Sequence, residues 1–290
     1  MKKVLAIAML GISFPVVALA DAYVKSAGFG GMGVNETWYA GKKKREETVV
    51  DMGGLKNREI TITRVDKGIV WELDADLRIY RERPIYVPDT PGDRKSMELK
   101  NAPDEKWKNP PGEEINQCSL QLVTLPQKRV IAGFDATGYQ AVCKEKNASD
   151  LPPMTMWISP LKGVVEKFDQ ETKSFDKAYR NELFKNIPFA ERKLNEEAFE
   201  ALGSAAGQML LGLNMGKLPK GVPLKMEQEG ERPDGTWGNM VIIEILDIRA
   251  DAVNPGLFDI PSGYRKIAND EEYHHLKAKK MAKQMGIGGM

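Results

Sequence analysis

The sequence predicts an α+β protein, an antiparallel sheet followed by helices, on three observations. Short segments alternate polar and apolar residues with period two, as in Glu59-Ile60-Thr61-Ile62-Thr63, the pattern of a strand with one buried face. The chain of 290 residues holds 27 glycines and 17 prolines, which supply the breaks that many short strands need. Farther along, Phe175, Tyr179, Leu183 and Ile187 recur every four residues, the stripe of an amphipathic helix.

At the amino end, Met1-Lys2-Lys3 precedes an apolar run from Val4 to Val17, and Ala18-Leu19-Ala20 leads to Asp21. This is the layout of a secretory signal over residues 1–20, cleaved before Asp21. The run is broken by Pro15 and falls short of the ~20 apolar residues that a spanning helix needs. No cysteine stands at the cleavage point, so the expectation is a soluble periplasmic protein, neither lipid-tethered nor transmembrane. Without Lys2 and Lys3, 40 basic residues face 41 acidic ones, a balance that argues against a nucleic-acid partner, whose binding rests on cationic excess. Cys118 and Cys143 are the two cysteines. In an oxidising compartment such a pair predicts a disulfide, one that stabilises by about 3–4 kcal/mol in the chain-entropy model.

The mature chain opens with a meander. A strand over Val34–Tyr39 reaches the turn Ala40-Gly41-Lys42, and a second extends from Arg45 to Asp51. After Asp66-Lys67-Gly68, residues Ile69, Trp71 and Leu73 share one strand face. Residues 84–116 carry six prolines (Pro84, Pro88, Pro91, Pro103, Pro110 and Pro111) among charges and read as an irregular excursion. Strands resume at Arg129–Gly133, Gly138–Lys144 and Met154–Ser159. The helix bearing Phe175 ends at Pro188. A second helix, Asn195–Met215, opens on an N-cap with Glu196 and Glu197 in its first turn and has no charge from Ala201 to Gly216. A hairpin closes the domain 21–268: Val222, Leu224 and Met226 alternate with polar residues, Pro233-Asp234-Gly235 turns, and Met240–Ile248 returns. That last strand is apolar on both faces except at Glu244 and Asp247, so it should be covered on both sides. Residues 269–290 read as an exposed, Lys-rich helical tail.

Candidate chemistry is sparse. Gly28, Gly30 and Gly33 spell G-x-G-x-x-G, but no helix follows to receive a pyrophosphate, and the segment reads as a flexible lead-in. His274 and His275, the two histidines, stand side by side near the carboxyl end, remote from any serine or cysteine that they could activate. Adjacent helical residues diverge by about 100°, so these histidines do not make a metal site even with Met281 and Met285. Neither a catalytic group nor a cofactor is expected, and the chain reads as non-enzymatic. The charge-free helix is the most informative element. Phe199, Leu202, Ala206, Met209, Leu210 and Leu213 give it a broad apolar face, while Gly203 and Gly207 allow close approach. It is either plain core or a lid over an apolar cavity.

A resemblance adds to this reading. Its residues are Arg64-Val65-Asp66-Lys67-Gly68-Ile69-Val70-Trp71, Arg78-Ile79-Tyr80, Ala132-Gly133-Phe134 with Tyr139 and Cys143, Met156-Trp157-Ile158-Ser159, and Phe258-Asp259-Ile260-Pro261-Ser262-Gly263-Tyr264. Over residues 22–267 the chain resembles a bacterial exported family of unknown function, related to the LolA/LolB-like lipoprotein carriers. The resemblance implies a curved antiparallel sheet, an open half-barrel with helices packed on its concave face, which in the carriers receives acyl chains. The expected function is therefore binding of a lipid, acyl chain or other apolar ligand between the sheet and helix Asn195–Met215. Trp71, Trp157, Met209 and Leu210 are the candidate ligand-binding residues. The alternative is an envelope protein-interaction or sensor module that meets its partner through the Pro-rich loop and the basic tail from Lys277 to Lys283.

Overall fold

The structure is a computed structural model that describes residues 21–28, 33–52, 55–85, 120–143, 153–185, 219–231 and 235–286. Its strands are β1 (Ala22–Gly28), β2 (Gly33–Ala40), β3 (Lys43–Met52), β4 (Leu55–Arg64), β5 (Ile69–Asp74), β6 (Ile79–Pro84), β7 (Leu120–Ile131), β8 (Phe134–Cys143), β9 (Met154–Ser159), β10 (Val222–Glu231), β11 (Trp237–Arg249) and β12 (Arg265–Lys266). Helix α1 spans Gly163–Leu183 and α2 spans Asp270–Gln284, with a 3-10 turn at Pro255–Phe258. All twelve strands form one sheet in the order β12-β6-β5-β4-β3-β2-β1-β11-β10-β9-β8-β7. Neighbours are antiparallel except β12, which pairs parallel with β6. The two end strands, β12 and β7, do not pair with each other, so the sheet over the described residues is not closed.

The meander forms as its alternation and turns predict. Gly41 adopts φ +58° between β2 and β3, a left-handed conformation that costs glycine little. One expectation is overturned at the amino end. Gly28 and Gly33 of the expected lead-in belong to strands β1 and β2, and β1, for which no strand was expected, sits mid-sheet between β2 and β11. Gly28 lies opposite Gly33 at the end of the β1–β2 ladder. Strand β1 pairs with β2 and β11 along both edges, and Ala22 and Tyr23 are buried.

The two faces are covered differently. On β5 the side chains alternate, and Val70 packs with Phe175, Ala178 and Tyr179 of α1. On the opposite face Trp71 and Leu73 pack with Ile60, Ile62 and Phe258 of the 3-10 turn. Helix α1 begins over Leu224, Ile248 and Trp157 through Val165 and Phe168. It ends at Phe175, Tyr179 and Leu183, the stripe visible in the sequence. Helix α2 shares the α1 face, since Lys280 reaches Asp74 and Lys277 reaches Glu59, the residue opposite Asp74.

A second expectation is corrected here, that of an exposed tail. Tyr273 is buried with Ile79 and Ile267, and Leu276 packs on the same cluster. Lys280 donates to Asp74 Oδ2 at 2.6 Å and to Asn57 Oδ1 at 2.7 Å. Residues 273, 276, 277 and 280 recur at three- and four-residue spacing, so one face docks while the other meets solvent. Among the described residues no helix is long and apolar enough to cross a membrane.

Candidate functional site

Trp71 and Trp157, both expected to meet a ligand, lie in different clusters and do not share a wall. Trp71 is packed beneath the 3-10 turn, and its indole Nε1–H donates to Glu82 Oε2 at 2.7 Å. That bond, reinforced by Lys266, holds the Glu82 carboxyl below its ordinary range. The guanidinium of Arg64 lies 5.9 Å from the Trp71 ring centre and the ammonium of Lys67 lies 5.2 Å away. Arg64 also forks onto Asp66 at 2.9 and 2.8 Å, and donates to Asp259 at 3.0 Å and to the Phe258 carbonyl at 3.2 Å. Its hydrogen bond holds the Asp66 carboxyl low. The segments 64–71 and 258–264 thus meet as a structural clamp.

Trp157 is 1% exposed. Its Nε1–H donates to Glu227 Oε2 at 2.9 Å, while the Arg129 guanidinium lies 4.2 Å from its ring centre. Lys225 Nζ approaches Glu227 Oε1 to 3.0 Å. Burial pushes the Glu227 carboxyl up, but the bonds from Trp157 and Lys225 outweigh it and the carboxyl sits below its usual range. Each indole therefore spends its one donor on a neighbouring carboxylate. Met209 and Leu210, with the whole predicted helix Asn195–Met215, lie outside the described residues, as do residues 1–20. So do Cys118, the Cys143 side chain and most of the Pro-rich excursion.

The structure assembles one further apolar cluster that the sequence does not single out. Met154, Met156 and Ile158 of β9, Met226 of β10 and Ala141 of β8 form a buried cluster flanked by Leu122, Tyr139, Ile242 and Ile243. Met156 lies opposite Tyr139 on one side and Met226 on the other, and it is 0% exposed. The alternation Met154-Thr155-Met156 shows in the sequence that these residues share a face. That β10 brings Met226 beside them does not, because about 70 residues intervene, including 21 of helix α1. Thioether side chains adapt their shape to an apolar partner.

On the face of the 3-10 turn a cleft of ≈ 160 Å³ lies among Tyr23, Trp38, Arg249, Asp251, Asn254 and Leu257. Arg249 lies 4.1 Å from the Tyr23 ring centre, and Tyr23 donates to Glu36. His274 contacts Arg81 at 3.1 Å.

No protein-family model matches the chain, and no curated protein matches it. Among solved structures, a crystal structure of a DUF1329 family protein from Desulfovibrio piger aligns over 83% of this chain and 90% of its own, with 9% identity and a TM-score of 0.23. A likeness at that TM-score carries no weight for function.

Proposed function

We propose that this chain is a non-enzymatic periplasmic binding protein that holds a lipid, acyl chain or other apolar ligand against the methionine cluster of β8–β10. The observation behind this reading is that cluster, which sets Met154, Met156, Ile158 and Met226 side by side on β9 and β10. An apolar sheet face is stable only under a second layer. Helix Asn195–Met215, with Met209, Leu210 and no charge from Ala201 to Gly216, is the segment of this chain with the character to supply part of that layer. A ligand supplies the rest, lying in the concavity of a curved half-barrel. Burial drives binding, at about 25 cal/mol per Å² of apolar surface before ordering costs are subtracted. The location follows from the leader over residues 1–20.

Native mass spectrometry of protein released gently from periplasm should show a bound apolar mass, and the emptied protein should take up a fluorescent fatty acid. Met156→Gln and Met226→Gln should each weaken uptake by about tenfold, because an amide buried without a partner costs ~1–3 kcal/mol. Trp71→Phe, beneath the 3-10 turn, should leave uptake unchanged. A uniformly ligand-free mass with no uptake overturns the reading.

A further inference from the structure

Glu171 of α1 has no part in the binding surface, yet it is 1% exposed. Its Oε1 accepts from the Gly41 N–H at 2.7 Å, and its Oε2 is buried with no hydrogen-bond partner. A carboxylate in that position is costly unless a cation or a second donor completes it. No described basic side chain makes an ion pair with it, although Lys42 follows Gly41 in the same turn.

The neighbouring chain end is informative. The β1–β2 ladder pairs Ala22 with Tyr39, so one step back Asp21 comes level with Ala40, the residue before Gly41. Paired strands lie about 5 Å apart, and α1 packs directly on β1 and β2. Asp21 is held in place by its carboxylate, which accepts from the Val253 N–H at 2.8 Å. Burial raises the Glu171 carboxyl above its ordinary range, and the negative charge of Asp21 raises it further. Asp21 is also the residue before which the leader is read to be cleaved.

We infer that Glu171 is the docking site for the α-ammonium group that cleavage creates at Asp21, and that this buried ion pair forms only in the processed chain. In the precursor that nitrogen is a peptide amide with no charge to offer, so Oε2 stays uncompensated and α1 sits less firmly on β1 and β2. Scission of the Ala20–Asp21 bond frees an amine with a pKa of ~8. The protonated amine supplies both a charge and three donors. Signal removal would then act as a stabilising step for the mature fold, one that withholds part of the fold's stability until export is complete.

The inference rests on the cleavage position assigned with the periplasmic reading, and the two can fail separately. The intact mass of protein recovered from periplasm tests the position alone, since it either begins at Asp21 or does not. The ion pair is tested on purified protein released from a fusion to begin at Asp21, compared with the same protein carrying one extra glycine before Asp21. Urea unfolding should show the added glycine lowering the folding equilibrium constant by about tenfold, as a one-unit linked pKa shift implies. In the Glu171→Gln background the same glycine should change it by less than about twofold. Equal losses in both backgrounds, or no loss in either, overturn the inference. If Glu171→Gln does not fold, the α-amine of the unaltered mature protein is titrated by ¹⁵N NMR. A pKa clearly above ~8 supports the pair, and a value at or below ~8 overturns it.

Discussion

Gly138 illustrates how little room one residue can leave. A Cβ built there would lie 2.9 Å from Leu125 Cδ1 and 2.9 Å from Trp157 Cζ3. The indole cannot easily retreat, because Nε1 is held by Glu227 and Arg129 lies over the ring. Gly138→Ala should therefore destabilise by about 1–3 kcal/mol through overpacking, read as a lower urea midpoint at unchanged slope. An unchanged midpoint would show that the ring is free to move. The sequence marks Trp157 as an aromatic residue on a strand but does not reveal its partners. Glu227 and Arg129 are 98 residues apart, and such pairings follow from strand order rather than from local pattern. The same holds for Trp71, whose place beneath Phe258 joins segments nearly 200 residues apart.

Helix α2 is the element whose existence was most legible and whose role was least so. Asn269 caps it, accepting from the amides of Glu271 and Glu272. Acids fill its first turn and Lys283 its last, an arrangement that suits the helix dipole. All of this can be read locally. The docking cannot, because Lys277 and Lys280 resemble solvent-facing lysines until Glu59 and Asp74 come to face them. Asp74 is 0% exposed, and Lys280 is its closest cation. Lys280→Met removes the cation and leaves the buried carboxylate in place, at a cost of about 3 kcal/mol. Hydrogen exchange should show β5, β6 and α2 losing protection together. If α2 alone loosens, the helix is an appendage and not a layer of the fold.

At the scale of the whole molecule, ionisable groups of two kinds oppose each other. Glu59, Asp66, Glu72, Glu82 and Glu227 are held below their ordinary range by cations or indole donors, in several cases against the upward push of burial. A depressed folded-state pKa contributes stability above the unfolded value, ~4.3 for Glu, and that contribution is lost as pH falls through the folded value. Asp176 is raised, chiefly by burial. Its contribution has the opposite sign, present at low pH and lost as pH rises. The first group is the larger, so the urea midpoint should drop steeply between about pH 5 and pH 3. A midpoint that rises or stays level over that interval would mean the ion pairs do not stabilise the fold. The antiparallel sheet, the strands from β2 to β5 and the stripe of the first helix were legible from alternation and periodicity; β1, β12 and most of β7, which runs from Leu120 where only Arg129–Gly133 was expected, were not. The order of the strands was not, because β1 and β11 meet mid-sheet from opposite ends of the chain.

That meeting has a consequence in time. Strands β2 to β6 form by successive short turns, as do β7 and β8, but Asp21 and Val253, hydrogen-bonded beside the central joint, are 232 residues apart. A chain delivered amino end first presents β1 as an unpaired edge until β11 arrives near the end of delivery. Open edges recruit other strands, and long-range pairings form slowly. The interval before β11 docks is therefore when this protein is most exposed to mispairing, and when an attendant chaperone would help it most.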